Sequence, residues 1–327
     1  MGGAGGLGGL GGLLNITQEA NTGQDPTAKK FGNTPEVTVN TGNLLPNSMG
    51  GSAPVNLPQK QKNLESKSAQ NILDTFDSQN EQIAKDFGQN KITDFNIYVE
   101  PGTSKSYGGS HPSPKTGETK HYEDNITLNI NTAPLSSGKP SHGGPNEAVG
   151  LTDAEVVESY EDRTKNWNAG QTSGEALSRA LSFSLQPNTA QDPNLSTKPM
   201  QEWWKNGHKD YINGNPDFSK NEPVTNGLQL DHWGGMQSKT QASDHNPNSN
   251  GSGTLFLNYM HDKLGYSWDQ ITSAKGNTLG EKYQSLTGKS GKQGFQNFLQ
   301  ALPTKTLANG QTVLNLPPDG NPFQNQN

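Results

Sequence analysis

Three observations predict an α+β fold. Apolar residues at helical spacing open the ordered part, two short segments alternate apolar with polar residues like half-buried strands, and further helices begin on capping signals. Only 28% of the 327 residues are hydrophobic and 39 are glycine, so the core must be drawn from a fraction of the length. One domain with flexible tails is the expectation: a Gly/Asn/Pro-rich tail and linker over residues 1–58, the α+β domain over 59–302, and a second tail over 303–327.

The opening run MGGAGGLGGLGGLL has no positive charge before its apolar part and no small-residue cleavage site after it, so no signal peptide is recognisable. Its glycines make a poor helix and suit a flexible segment. Leu64, Ala69, Ile72, Leu73, Phe76, Ile83, Ala84 and Phe87 then recur at helical spacing, with Gly88 as a stop. Phe95, Ile97 and Val99 read as one strand; Ile126, Leu128 and Ile130 read as another. The Gly/Ser/Pro/His stretch between them, residues 102–121, is longer than compact domains usually leave unstructured, and is expected to be a flap or functional loop.

Thr152 with Glu155 three residues on reads as a capping box, with Leu151 and Val156 as its hydrophobic staple. Thr172 and Glu175 repeat the device ahead of Ala176, Leu177, Ala180, Leu181 and Leu185. Trp203 and Trp204 mark a short helix, and the Pro/Asn/Gly-rich residues 214–253 read as loop. A helix from Leu255 to Leu264 stops at Gly265. Ser267 with Gln270, Thr278 with Glu281 and Ser290 with Gln293 are three more capping spacings, and Phe295, Phe298, Leu299 and Leu302 lie on the helix that ends before Pro303.

Several chemistries are excluded or weakened at once. No cysteine is present, which removes thiol nucleophiles, Cys-ligated zinc and disulfides. The net charge is -6 without any block of Lys or Arg, so the cation density that nucleic acid requires is missing. No apolar run approaches the roughly 20 residues of a membrane-spanning helix. No G-x-S-x-G occurs, and Ser178 lies inside a helix rather than on a nucleophile elbow. His111, His121, His142, His208, His232, His245 and His261 are scattered, with no i, i+4 pair. His232, between Asp231 and Trp233, could line a pocket; His261 reads as an ordinary helical position.

The element order, long helix, strand, flap, strand, helix, loop, helix and helical lobe, resembles zincin metallopeptidases. GEALSRALSFSL from Gly174, with LFLNYMHDKLGYSWDQI and TLGEKYQSLTG downstream, is similar to a family of bacterial, secreted zincin-like proteins. The resemblance implies a zincin-like, gluzincin-related domain over residues 59–302, exported by its cell. In that family H-E-x-x-H holds zinc through two histidines, and the glutamate between them accepts a proton from metal-bound water. The matching positions here read Ala154-Glu155-Val156-Val157-Glu158, an A-E-x-x-E. By position Glu155 would be the catalytic base, Glu158 a replaced metal ligand, and Glu175 the third ligand. Ala154 cannot ligate anything. Carboxylates alone suit Ca²⁺ or Mg²⁺ better than zinc. No cofactor is therefore expected, and the resemblance implies a degenerate metallopeptidase-like module that binds a protein or carbohydrate ligand or serves in structure.

Two alternatives stay open. Glu155, Glu158 and Glu175 could serve an active hydrolase, a peptidase or a glycosidase with two opposed carboxylates. The Gly/Leu-rich start also resembles, by composition only, the harpins, Gly-rich proteins exported by plant-associated bacteria through type III secretion.

Overall fold

The structure, a computed structural model, describes residues 36–39, 59–92, 95–101, 108–110, 126–132, 145–167, 172–187, 196–206 and 247–324. Its first helix, α1 (Gln59–Asp86), buries Ile72, Phe76, Ile83 and Ala84 along one stripe, as the spacing requires. Gly88 closes it with φ at 60°, a left-handed conformation that costs glycine nothing, and its N–H donates to the Lys85 carbonyl at 2.9 Å.

Four strands form one sheet: β1 (Glu36–Val39), β2 (Phe95–Pro101), β3 (Gly108–Ser110) and β4 (Ile126–Thr132), in the order β1-β2-β4-β3. β1 lies within the stretch expected to be linker and pairs parallel with β2, Val37 opposite Ile97. The fold therefore recruits residues from before Gln59, and the boundary at residue 58 is corrected accordingly. β2 and β4 are also parallel, in register from Phe95–Ile126 to Pro101–Thr132. A parallel pair cannot be joined by a tight turn, because the chain must return along the whole strand before it pairs again. That requirement accounts for the long connection between them, which on its way supplies β3, antiparallel on β4.

Helix α2 (Pro145–Thr164) packs against α1 on one side, α3 (Thr172–Leu185) on another and strands β3 and β4 on a third. It is the central element, and it begins earlier than expected. Thr152 does not cap it; the residue lies mid-helix, buried, and its hydroxyl donates to the Ala148 carbonyl at 2.8 Å. Leu151 and Val156 are likewise buried interior positions rather than a staple around a helix start.

From α3 the packing continues to α5 (Pro247–Asn258) and then to α4 (Thr197–Asn206). α5 takes its first two turns, Pro247 to Gly253, from residues expected to be loop. A Cβ at Gly251 would lie 2.5 Å from the Pro199 carbonyl carbon, so α4 and α5 touch backbone to backbone there. α5 runs on into a π-helical turn (Tyr259–Lys263), followed by α6 (Trp268–Ser273), α7 (Leu279–Thr287) and α8 (Gly291–Ala301). The boxes at Ser267 with Gln270 and at Thr278 with Glu281 are both formed, and Ser290 accepts from the Gln293 N–H at 3.2 Å.

The tail expected over 303–327 is also corrected. β5 (Thr304–Thr306) and β6 (Thr312–Leu314) form a hairpin. Trp204 Nε1 donates to the Thr312 carbonyl at 3.1 Å and Gln201 Nε2 to the Leu314 carbonyl at 2.9 Å, fastening it to α4. Leu314 and Phe323 are buried, Phe323 with its ring centroid 5.6 Å from Tyr259. The aromatic core beside them sets Trp203 stacked on Phe298 at 5.9 Å and Phe256 edge-on to Phe298 at 5.3 Å.

Candidate functional site

Helix α2 carries Ala154, Glu155 and Glu158 and helix α3 carries Glu175, the residues that the resemblance singles out, and the packing decides what they can do. Glu155, Glu158 and Glu161 are all buried, Glu161 completely, and so is Arg179 on α3. Ala154 is partly exposed, and Glu175 stands partly buried in the first turn of α3, where the positive end of the helix favours an acid. Glu155, Glu158 and Glu175 each engage an interaction partner. Since α2 begins at Pro145, Glu155 is an interior helical residue and not the third residue of a capping box.

Zinc does not fit these residues. Position 154 has no donor atom, and the remaining set is carboxylate only, without the imidazoles that a catalytic zinc site uses. Among the described residues no three His, Asp or Glu side chains are grouped so as to hold one ion. Ca²⁺ or Mg²⁺ at Glu158 and Glu175 would need further oxygen ligands, and no group of three such side chains is found among the described residues.

Helix α2 also carries a group that sequence reading passed over. Asp153 is fully buried, its Oδ2 has no hydrogen-bond partner, and burial alone pushes its carboxyl well above the usual carboxylate range. Its surroundings favour the protonated form over the charged one. The T-D-A-E segment disguised it, because an aspartate there looks like the start of a helix.

Around α2 the other polar groups are pins. The Tyr160 hydroxyl donates to Asn80 Oδ1 at 2.8 Å and accepts from the Ile92 N–H at 2.9 Å, while Asn80 Nδ2 donates to the Ile92 carbonyl at 2.8 Å. This closed triangle ties α1, α2 and the approach to β2. Burial, only partly offset by the bond from Ile92, pushes the Tyr160 hydroxyl up to about 12. Lys282 of α7 is buried under Trp167, 4.1 Å from the ring centroid, and donates to the carbonyls of Asn166 at 2.7 Å and Ala274 at 3.2 Å. Burial lowers its ammonium to about 8 despite the pull of Glu161 and Glu281.

The π-helical turn presents a different arrangement. His261 lies flat on Trp268, centroids 4.4 Å apart, and its Nδ1 is 2.9 Å from Asp262 Oδ1. Asp262 Oδ2 accepts from Asn321 Nδ2 at 2.7 Å. Burial works against ionisation of Asp262, but the bonds from His261 and Asn321 outweigh it and hold the carboxyl below its usual range. Such a chain orients an imidazole, yet it opens on no described cavity. The cleft described, of about 390 Å³, lies elsewhere, between α4 and the C-terminal hairpin, with Gln201, Lys305 and Leu314 on its walls. The D-H-W segment at His232, like every histidine but His261, lies outside the described residues.

Compared with protein-family models, with curated proteins and with solved structures, the chain matches none.

Proposed function

We propose that the chain is a zincin-like module without a metallopeptidase centre, exported from its cell and acting as a binding or structural component. One observation carries the reading. The A-E-x-x-E segment lies on the central helix of the fold, where the resemblance places a zinc helix, and its glutamates are packed into the interior. A peptidase must expose its general base and metal to an extended substrate, whereas Glu155 and Glu158 are covered on a helix that contacts α1, α3 and two strands. The order of a long helix, strands, central helix and second helix before a helical lobe supports the same scaffold. On this reading a protein or carbohydrate ligand meets the outer surface, and the carboxylates of α2 serve packing.

Substitution of Glu155 and of Glu175, the base and the third ligand by position, tests it. Gln keeps an acceptor oxygen and the side-chain volume, so Glu155→Gln and Glu175→Gln are each expected to change stability by about 1 kcal/mol or less. A general base that loses its charge costs about 10²- to 10⁴-fold in rate. Thermal melts of the full chain, run beside peptide and glycoside hydrolysis assays, separate the readings. Hydrolysis by the parent that Glu155→Gln abolishes without moving the melt establishes the hydrolase instead.

A further inference from the structure

The C-terminal end of α1 meets the helical lobe where charged groups from three elements converge. Asp86, in the last turn of α1, is 8% exposed, and Gln82 Nε2 donates to its Oδ1 at 2.9 Å. α6 packs against this turn and brings Asp269 towards the carboxyl; the π-helical turn brings His261. Lys85, on the same turn of α1, is paired at the surface with Glu81 at 2.9 Å. The Thr272 hydroxyl of α6 donates to the Asp86 carbonyl, so one residue receives the lobe through its backbone and faces a like charge through its side chain.

We propose that Asp86 is a proton-operated joint: α6 docks tightly on α1 while its carboxyl is protonated, and loosens when it ionises. The geometry supplies three reasons. The carboxyl is buried, it stands at the negative end of the α1 dipole, and Asp269 adds a second negative charge across the contact. Burial first and Asp269 next push the group up to about 6, against the bond from Gln82 and the weaker pull of His261 and Lys85. Asp262, on the other side of His261, stays ionised through this range because His261 and Asn321 hold it low.

The sign follows directly. Between the ordinary value of 3.8 and about 6 the folded chain binds more protons at Asp86 than the unfolded chain, so the docked state is favoured at acid pH. That preference is lost as pH rises through 6.

Hydrogen exchange of the full chain at about pH 5 and about pH 7.5, corrected for intrinsic exchange rates, reads the joint directly. Amides of residues 268–273 are expected to open about fivefold more at the higher pH, a value below the limit of about tenfold that a shift from 3.8 to about 6 allows between these two pH values, because solvent screens the group. Asp86→Asn keeps an acceptor for Gln82 and cannot ionise, so the difference should shrink below about twofold. Equal opening at both pH values in the parent, or an undiminished difference in Asp86→Asn, overturns the proposal. If that variant does not fold, a carbon-13 NMR titration of Asp86 in the parent decides: a midpoint near 6 supports the joint, and one near 3.8 overturns it.

Discussion

At the scale of single residues, the described part of the fold relies on a few buried polar atoms that hold distant segments together. Tyr160 is the clearest case. Removing its hydroxyl leaves the Ile92 N–H and Asn80 Oδ1 without it in a buried site, so Tyr160→Phe should cost about 2 kcal/mol by chemical denaturation, far more than the loss of one exposed bond. Lys282 makes a pH-dependent prediction. Its folded value of about 8 lies below the ordinary 10.5, so between pH 8 and about 10 the unfolded chain binds more protons and stability should rise with pH. Above about 10 the trend turns, because Tyr160 and Tyr259, raised to about 12 by burial, then oppose it. Lys282→Met should flatten the rise in denaturation curves taken across that window. Neither role was legible in the sequence. A lysine in GEKYQ reads as a solvated helix face, and only the turn of Trp167 over its ammonium makes it interior.

At the scale of elements, legibility followed the range of the interactions that fix each one. Caps set by neighbours three residues apart, Ser267 with Gln270 and Thr278 with Glu281, read correctly because their chemistry is local. The start of α2 did not. Thr152 reads as a beginning, but long-range burial of Ala148, Val149 and Leu151 extends the helix back to Pro145, a residue suited to a first helical position. The hairpin of β5 and β6 was equally hidden, since TKT and TVL carry little pattern and their anchors, Gln201 and Trp204, lie about a hundred residues away. Close contact of α4 and α5 gives this scale its prediction. A methyl at Gly251 meets the Pro199 backbone, which cannot swing aside, so Gly251→Ala should destabilise by about 1 to 3 kcal/mol in thermal or denaturant melts. A neutral or stabilising result means the helices do not pack as described.

At the scale of the whole molecule, a mixed sheet and α1 flank the central helix α2, and the C-terminal lobe closes back on that body through Thr272, which bonds the Asp86 carbonyl, and Lys282, which bonds the Asn166 carbonyl. The α+β class was legible from the two periodicities, but the burial of the A-E-x-x-E glutamates was not. That depends on what packs over α2, which no local pattern records. The central claim is that this helix has the place of a zinc helix without its chemistry. Metal analysis of the purified full chain, after incubation with zinc and dialysis, tests it most directly. Carboxylates without an imidazole pair should leave only substoichiometric zinc, whereas one tightly held zinc per chain, lost in Glu158→Ala, contradicts the account.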